Sequence, residues 1–101
     1  MLDQRSTIVH CSYSSWGAIR IWPSTFLVQQ DGQRKKLLHA FNISEYPSWK
    51  WVRKNHEFTL IFEGLDKECA VFDLFEDIPE PGGFRFFNIR RNKTDVYQIA
   101  F

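Results

Sequence analysis

Apolar and polar residues alternate along this chain with a period of two, in short runs parted by turn-forming residues. No long window carries the 3.6-residue period of an amphipathic helix. Thr7, Val9, Cys11 and Tyr13 fall on one side of a first run and Ile8, His10 and Ser12 on the other, up to "SSWG". Ile19 and Ile21 then oppose Arg20 and Trp22. Pro23 has no amide hydrogen to give a ladder, so this second strand is broken there or lies at an edge. "STFLVQQ" leads into Asp31-Gly32 and "RKKLLHAFNI" returns. That is a hairpin signal, because glycine accepts the positive φ of a tight turn.

"SEYPSWKWVRKN", with Pro47 and mixed polarity, predicts a crossing loop that holds one short helical turn. Glu57 to Glu63 is the clearest strand, with Phe58, Leu60 and Phe62 facing one way and Thr59 and Ile61 the other. "GLDKE" and "PEPGG" then separate "CAVFDLFEDI" from "FRFFNIRRN", and "KTDVYQIAF" completes the pattern. The predicted architecture is all-β: one domain over residues 1–101, an antiparallel β-sandwich of seven or eight strands. There is no internal repeat, linker or low-complexity tract. The expected core is Ile21, Val28, Leu38, Phe58, Leu60, Phe62, Phe72, Leu74, Phe86, Ile89 and Ile99.

Composition supports a chain that folds without a staple. Aromatic residues make up 17% of it, and each can bury roughly 150–250 Å², so no metal, cofactor or disulfide is needed to complete a core. Cys11 and Cys69 match no metal or redox spacing and read first as small buried side chains, with a disulfide between them as the second reading. The formal charge of +1 provides no overall field toward nucleic acid or a membrane. No apolar run reaches the roughly 18–20 residues of a spanning helix, so the expectation is no membrane insertion. The start "MLDQRSTIVH" has no export pattern. That leaves location open: cell envelope or secreted if a leader has been removed, otherwise cytoplasmic.

Candidate chemistry is sparse. Asp73, Glu76, Asp77 and Glu80 crowd one region, but Asp73 and Glu76 diverge on a regular strand, and the loop lacks the acid and glycine order of a calcium site. The expectation is no metal, with the acids as loop chemistry around the sheet. Glu63 and Asp73 are the one carboxylate pair that could act as general acid and base, as in a hydrolase, if their strands pair and one carboxyl is buried. His10 and Cys11 face opposite sides of a strand and form no dyad. Cys69 with His39 or His56 has no motif behind it. Asn42-Ile43-Ser44 and Asn92-Lys93-Thr94 match the glycosylation sequon.

Aromatic residues stand out at "YPSWKW", where they form either a lid over an open end of the sheet or an exposed platform for a partner chain or sugar rings. Tyr46, Trp49, Trp51 and Arg53 are therefore the candidate binding residues, because aromatics and arginine dominate interface energetics. "RKK", "WKWVRK" and "RRNK" also hold the ingredients of a single-stranded nucleic-acid surface. The near-zero net charge disfavours that alternative at this level.

The order "FLVQQDGQRKKLLHAFNI", "EFTLIFEGLDKECAVFDLFED", "FRFFNI" resembles β-sandwich accessory segments of Bacteroidetes envelope proteins, over about Trp22 to Ile89. Its most specific part is Phe58-Thr59-Leu60 followed by Phe72-Asp73-Leu74 and Glu76. The resemblance implies an immunoglobulin-like module without catalytic residues, beside a larger domain, with Asp73 bonding backbone amides. "PEPGG" is an insertion relative to that pattern. The function expected is a non-catalytic interaction module for a protein or carbohydrate partner, as a monomer or weak dimer.

Overall fold

A computed structural model describes residues 5–101; the first four residues, which bear on the export expectation, lie outside that range. It contains ten strands: β1 (Ser6–Tyr13), β2 (Gly17–Ile21), β3 (Thr25–Gln29), β4 (Arg34–Phe41), β5 (Ser44–Glu45), β6 (Lys50–Val52), β7 (His56–Glu63), β8 (Val71–Glu76), β9 (Arg85–Arg90) and β10 (Val96–Ala100). The described residues hold no helix, so none is long and apolar enough to cross a membrane. The fold is all-β.

Seven strands form one sheet in the order β10-β1-β7-β4-β3-β8-β9, and β5-β2-β6 form a second. Alternation sends one side of each long strand inward. Val9 and Cys11 of β1, Phe58, Leu60 and Phe62 of β7, Leu27 of β3, Phe72 and Leu74 of β8, and Ile99 of β10 share a single buried cluster. Strand twist curls the large sheet until its edge strands face each other across this cluster. Phe72 of β8 meets Tyr97 of β10 edge to face at 5.0 Å, and Phe86 of β9 meets Phe101 at 6.4 Å. The large sheet is therefore nearly a barrel, filled by side chains.

The expected antiparallel arrangement is corrected. β10 runs parallel to β1, with Ile8 opposite Val96 and Cys11 opposite Ile99, so the large sheet is mixed. The segment expected as a loop with a helical turn supplies β5 and β6 instead, one along each edge of β2. Pro47 sits in the connection between them, where its missing donor breaks no ladder.

Two expected core residues lie elsewhere. A register shift between Leu37 and His39 in the β4–β7 pairing leaves Leu38 exposed. In β3 the inward set is Thr25, Leu27 and Gln29, which turns Val28 outward. A polar residue in the inward phase hid that phase. Gln29 is buried because Asp66 satisfies it on both sides: the Gln29 amide donates to Asp66 Oδ2 at 2.9 Å, and its Oε1 accepts from the Asp66 backbone at 2.7 Å.

The barrel ends differ. At one end Gln30 accepts from the amides of Ala70 and Val71, Lys35 of β4 pairs with Asp66 at 2.8 Å, and Arg91 pairs with Asp95 of its own loop at 2.6 Å. The Arg91 guanidinium also donates to the carbonyls of Asp66 and Cys69. Gly64 lies here so close to the Arg5 carbonyl oxygen that any Cβ would collide with it. At the other end β1 and β4 run out and β3 and β7 begin, so the three-stranded sheet, built from the intervening segments, sits there. Its inward side chains Ile19, Ile21 and Val52 join the barrel's own cluster.

Candidate interaction surface

The small sheet has one buried face and one open face. In β2, Ile19 and Ile21 point inward, so Ala18 and Arg20 point out. β6 runs antiparallel with Gly17 opposite Val52 and Ala18 opposite Trp51. Val52 therefore goes inward, and Trp51 stands outside beside a small alanine, 78% exposed. β5 runs parallel with Arg20 opposite Ser44. One step along, Trp22 and Tyr46 stack with ring centroids 3.8 Å apart. The Tyr46–Pro47 peptide is cis.

Arg20 organises this outer face. Its guanidinium lies 3.8 Å from the Trp49 ring centroid on one side and 4.8 Å from that of Tyr46. The result is a continuous stack of Trp49, Arg20, Tyr46 and Trp22, in which the cation meets the negative faces of the rings. The guanidinium donates to the Pro47 carbonyl at 3.2 Å and to Glu80 Oε1 at 3.3 Å. A cleft of about 230 Å³ opens between this stack and the loop carrying Glu80, Pro81 and Phe84.

Glu76 fixes the stack to the barrel. It is buried at 3% exposure, in phase with Phe72 and Leu74 of β8. Its Oε2 accepts from the Trp22 backbone N–H and its Oε1 from that of Phe84, both at 2.9 Å. Burial pushes its carboxyl above the usual carboxylate range, against the pull of those two amides.

Among the expected binding residues, Tyr46 and Trp49 are brought together through Arg20, and Trp51 lies on the same face. Arg53 is exposed in the turn from β6 to β7 and takes no part in the stack. Sequence reasoning missed Arg20 and Trp22. Their outward phase opposite Ile19 and Ile21 is visible in the sequence, but only the pairing of β5 and β6 with β2 places them beside Tyr46 and Trp49.

The acidic residues disperse. Asp77 pairs with Arg34 at 3.2 Å and Glu80 with Arg20, while Glu76 points into the core, which corrects its reading as loop chemistry. Glu63 and Asp73 do not share a pair of strands, since β4 and β3 lie between β7 and β8. At about 4.8 Å per strand their backbones stand roughly 14 Å apart. Each binds a backbone amide instead: Glu63 that of Lys36 at 2.7 Å, and Asp73 that of Asn88 at 2.8 Å. Asn88 has a positive φ beside an irregularity in the β8–β9 register. Among the described residues no three His, Cys, Asp or Glu side chains gather as metal ligands would.

Cys11 and Cys69 are buried free thiols, not a disulfide. Burial pushes Cys11 up to about 12 and raises Cys69 as well. His10 turns outward to Thr59 at 2.9 Å. Both sequon asparagines are tied by their side-chain amides, Asn42 to the Glu57 carbonyl and Asn92 to that of Val96. A larger hollow at the opposite end has basic walls, but two of its cations, Lys35 and Arg91, are engaged by Asp66 and Asp95. No family model, curated protein or solved structure matches the chain.

Proposed function

We propose that the protein is a non-catalytic interaction module whose contact surface is the outer face of the three-stranded sheet. The observation that carries this reading is the placement of Trp49, Trp51 and Tyr46, exposed by 53%, 78% and 44%, outside a core that closes without them. Aromatic surface left in water is a standing disadvantage for a monomer unless a partner covers it. Stacking on Arg20 holds the rings in place, so a ligand meets a preorganised surface. Arg53 belongs to the rim of this surface. The resemblance to envelope accessory segments agrees with the same role at the level of an all-β module, and the immunoglobulin-like detail adds nothing to it.

The test is Trp51→Ala, alone and with Trp49→Ala, measured twice. Melting followed by circular dichroism should be nearly unchanged for Trp51→Ala, because exposed substitutions usually stay within about 0.5 kcal/mol. Intrinsic tryptophan fluorescence, titrated with oligosaccharides, peptides and oligonucleotides, should report a ligand that the double variant loses. A large fall in melting temperature for Trp51→Ala, or a ligand bound equally well by both proteins, would overturn the reading.

A further inference from the structure

We propose that the ligand of this face is single-stranded nucleic acid, an inference that rests on the interaction-module reading. The whole-chain charge of +1 spoke against such a ligand, but the fold does not spread that charge evenly. On the outer face Arg20 is paired with Glu80, and Arg53 and Lys54 follow Trp51 in the turn to β7, while the pairing of Ile19 with Lys50 and of Ile21 with Glu45 sends Lys50 and Glu45 to the other side. That leaves a local excess of two positive charges beside Trp51. A phosphate chain approaching the aromatic face meets Arg53 and Lys54 beside Trp51, and Glu80 at the cleft is already paired with Arg20.

The aromatics complete the match. Single-strand binders combine cations that track the backbone with rings on which bases stack, a mode that tolerates any sequence because every base has a π-face. Trp49 has one side on the Arg20 guanidinium and remains 53% exposed, and Trp51 is open on its strand two residues away. Val52 is buried between Trp51 and Arg53, which turns both of these outward, and Lys54 is exposed next to Arg53. Two rings followed by two cations thus line one edge of the sheet. A neutral glycan accounts for the rings and leaves the cation excess without a role.

The experiment is fluorescence polarisation of labelled dT and rU 12-mers with the full chain at low salt, the two probes separating DNA from RNA. Sequence-independent binding falls at about 10⁻⁴–10⁻⁶ M, so protein is taken to about 10⁻⁴ M. At least one probe should bind. Trp51→Ala should weaken it about 5- to 150-fold, the worth of one stacked base. Arg53→Glu with Lys54→Glu should also weaken it, and should flatten the dependence of log K on log salt by about 0.7 for each phosphate no longer neutralised. Circular dichroism melts of each variant control for folding. No binding of either probe, or binding that neither Trp51→Ala nor the charge reversal changes, overturns the inference. Trp51-dependent binding of a neutral glucose oligomer without oligonucleotide binding overturns it too, and leaves the module reading standing. A collapse in melting temperature of Trp51→Ala would sink both.

Discussion

Replacing Glu76 with glutamine probes the one buried link between the aromatic stack and the barrel. Each carboxylate oxygen holds one backbone amide, Oε2 that of Trp22 and Oε1 that of Phe84, at 2.9 Å. Glutamine keeps the size and one acceptor but turns an NH₂ toward the other amide. Whichever way the side chain rotates, one of the two donors is left facing another donor. An unsatisfied buried donor costs about 1–3 kcal/mol. Glutamine also removes a desolvated charge, and that relief offsets part of the loss. A net destabilisation of about 1–2 kcal/mol at neutral pH is expected, which in a domain of this size lowers the melting temperature by roughly 4–16 °C.

The pH dependence of the same variant provides a second, independent reading. A carboxyl whose pKa is raised on folding holds its proton more tightly in the folded chain than in the unfolded one. Its contribution to stability is greatest below the unfolded value and declines as pH rises through the raised folded value. Glutamine binds no proton in this range, so the gap between wild type and variant should be widest in acid and should narrow toward neutrality. Asp66 and Asp95, held low by Lys35 and Arg91 respectively, lose stabilisation in acid in both proteins and cancel in the difference. Paired melts from about pH 4.5 to 8 measure it. A variant that melts within about 1 °C of wild type, with a gap flat across pH, would refute the clamp.

Two further substitutions test the opposite end of the barrel. Asp95→Asn removes the carboxylate that takes the Arg91 guanidinium at 2.6 and 3.0 Å and the Tyr97 hydroxyl at 3.0 Å; asparagine tolerates the positive φ at this position. A loss of about 1–3 kcal/mol in urea unfolding at neutral pH is expected. Because a lowered carboxyl stabilises above its unfolded pKa and ceases to as pH falls through the folded one, the variant should also show a shallower acid limb. Gly64→Ala drives a methyl into the Arg5 carbonyl, so thermal melts should show a loss of about 1–3 kcal/mol. An unchanged melting temperature would mean that the backbone leading into β1 does not press on the residue that follows β7.

The strands were legible because each of the long ones keeps one wet side, and Asp31-Gly32 marked its turn through a φ of +88° at Gly32. What escaped was set by distant partners. The parallel union of β1 with β10 joins residues almost ninety positions apart, and no local pattern distinguishes it from an antiparallel one. Leu38 follows alternation correctly until a register shift, and Gln29 occupies a core phase only because Asp66 meets it from the loop between β7 and β8. Glu76 is the instructive miss. Its phase with Phe72 and Leu74 pointed inward, but a carboxylate beside Asp77 and Glu80 reads as wet unless the two amides that hold it are known. Tyr46, Trp49 and Trp51 were legible because so many aromatics exceed what a crossing segment needs to bury. Arg20 and Trp22 join them only through β-pairing across more than twenty residues.

Attachment and recognition are divided between the two faces of the small sheet. Ile19, Ile21 and Val52 hold it to the barrel through burial, and the Glu76 clamp adds direction by fixing the backbone at Trp22. The outer rings contribute little to that attachment, so they can change without unfolding the domain. Their geometry still depends on it, because the ring of Trp22 supports Tyr46 and Tyr46 backs the guanidinium on which Trp49 lies. A buried carboxylate on β8 thereby governs the pose of exposed tryptophan through an unbroken run of stacked groups. A change at Glu76 should loosen the whole platform, whereas a change at Trp51 should remove one ring from a platform that stays in place.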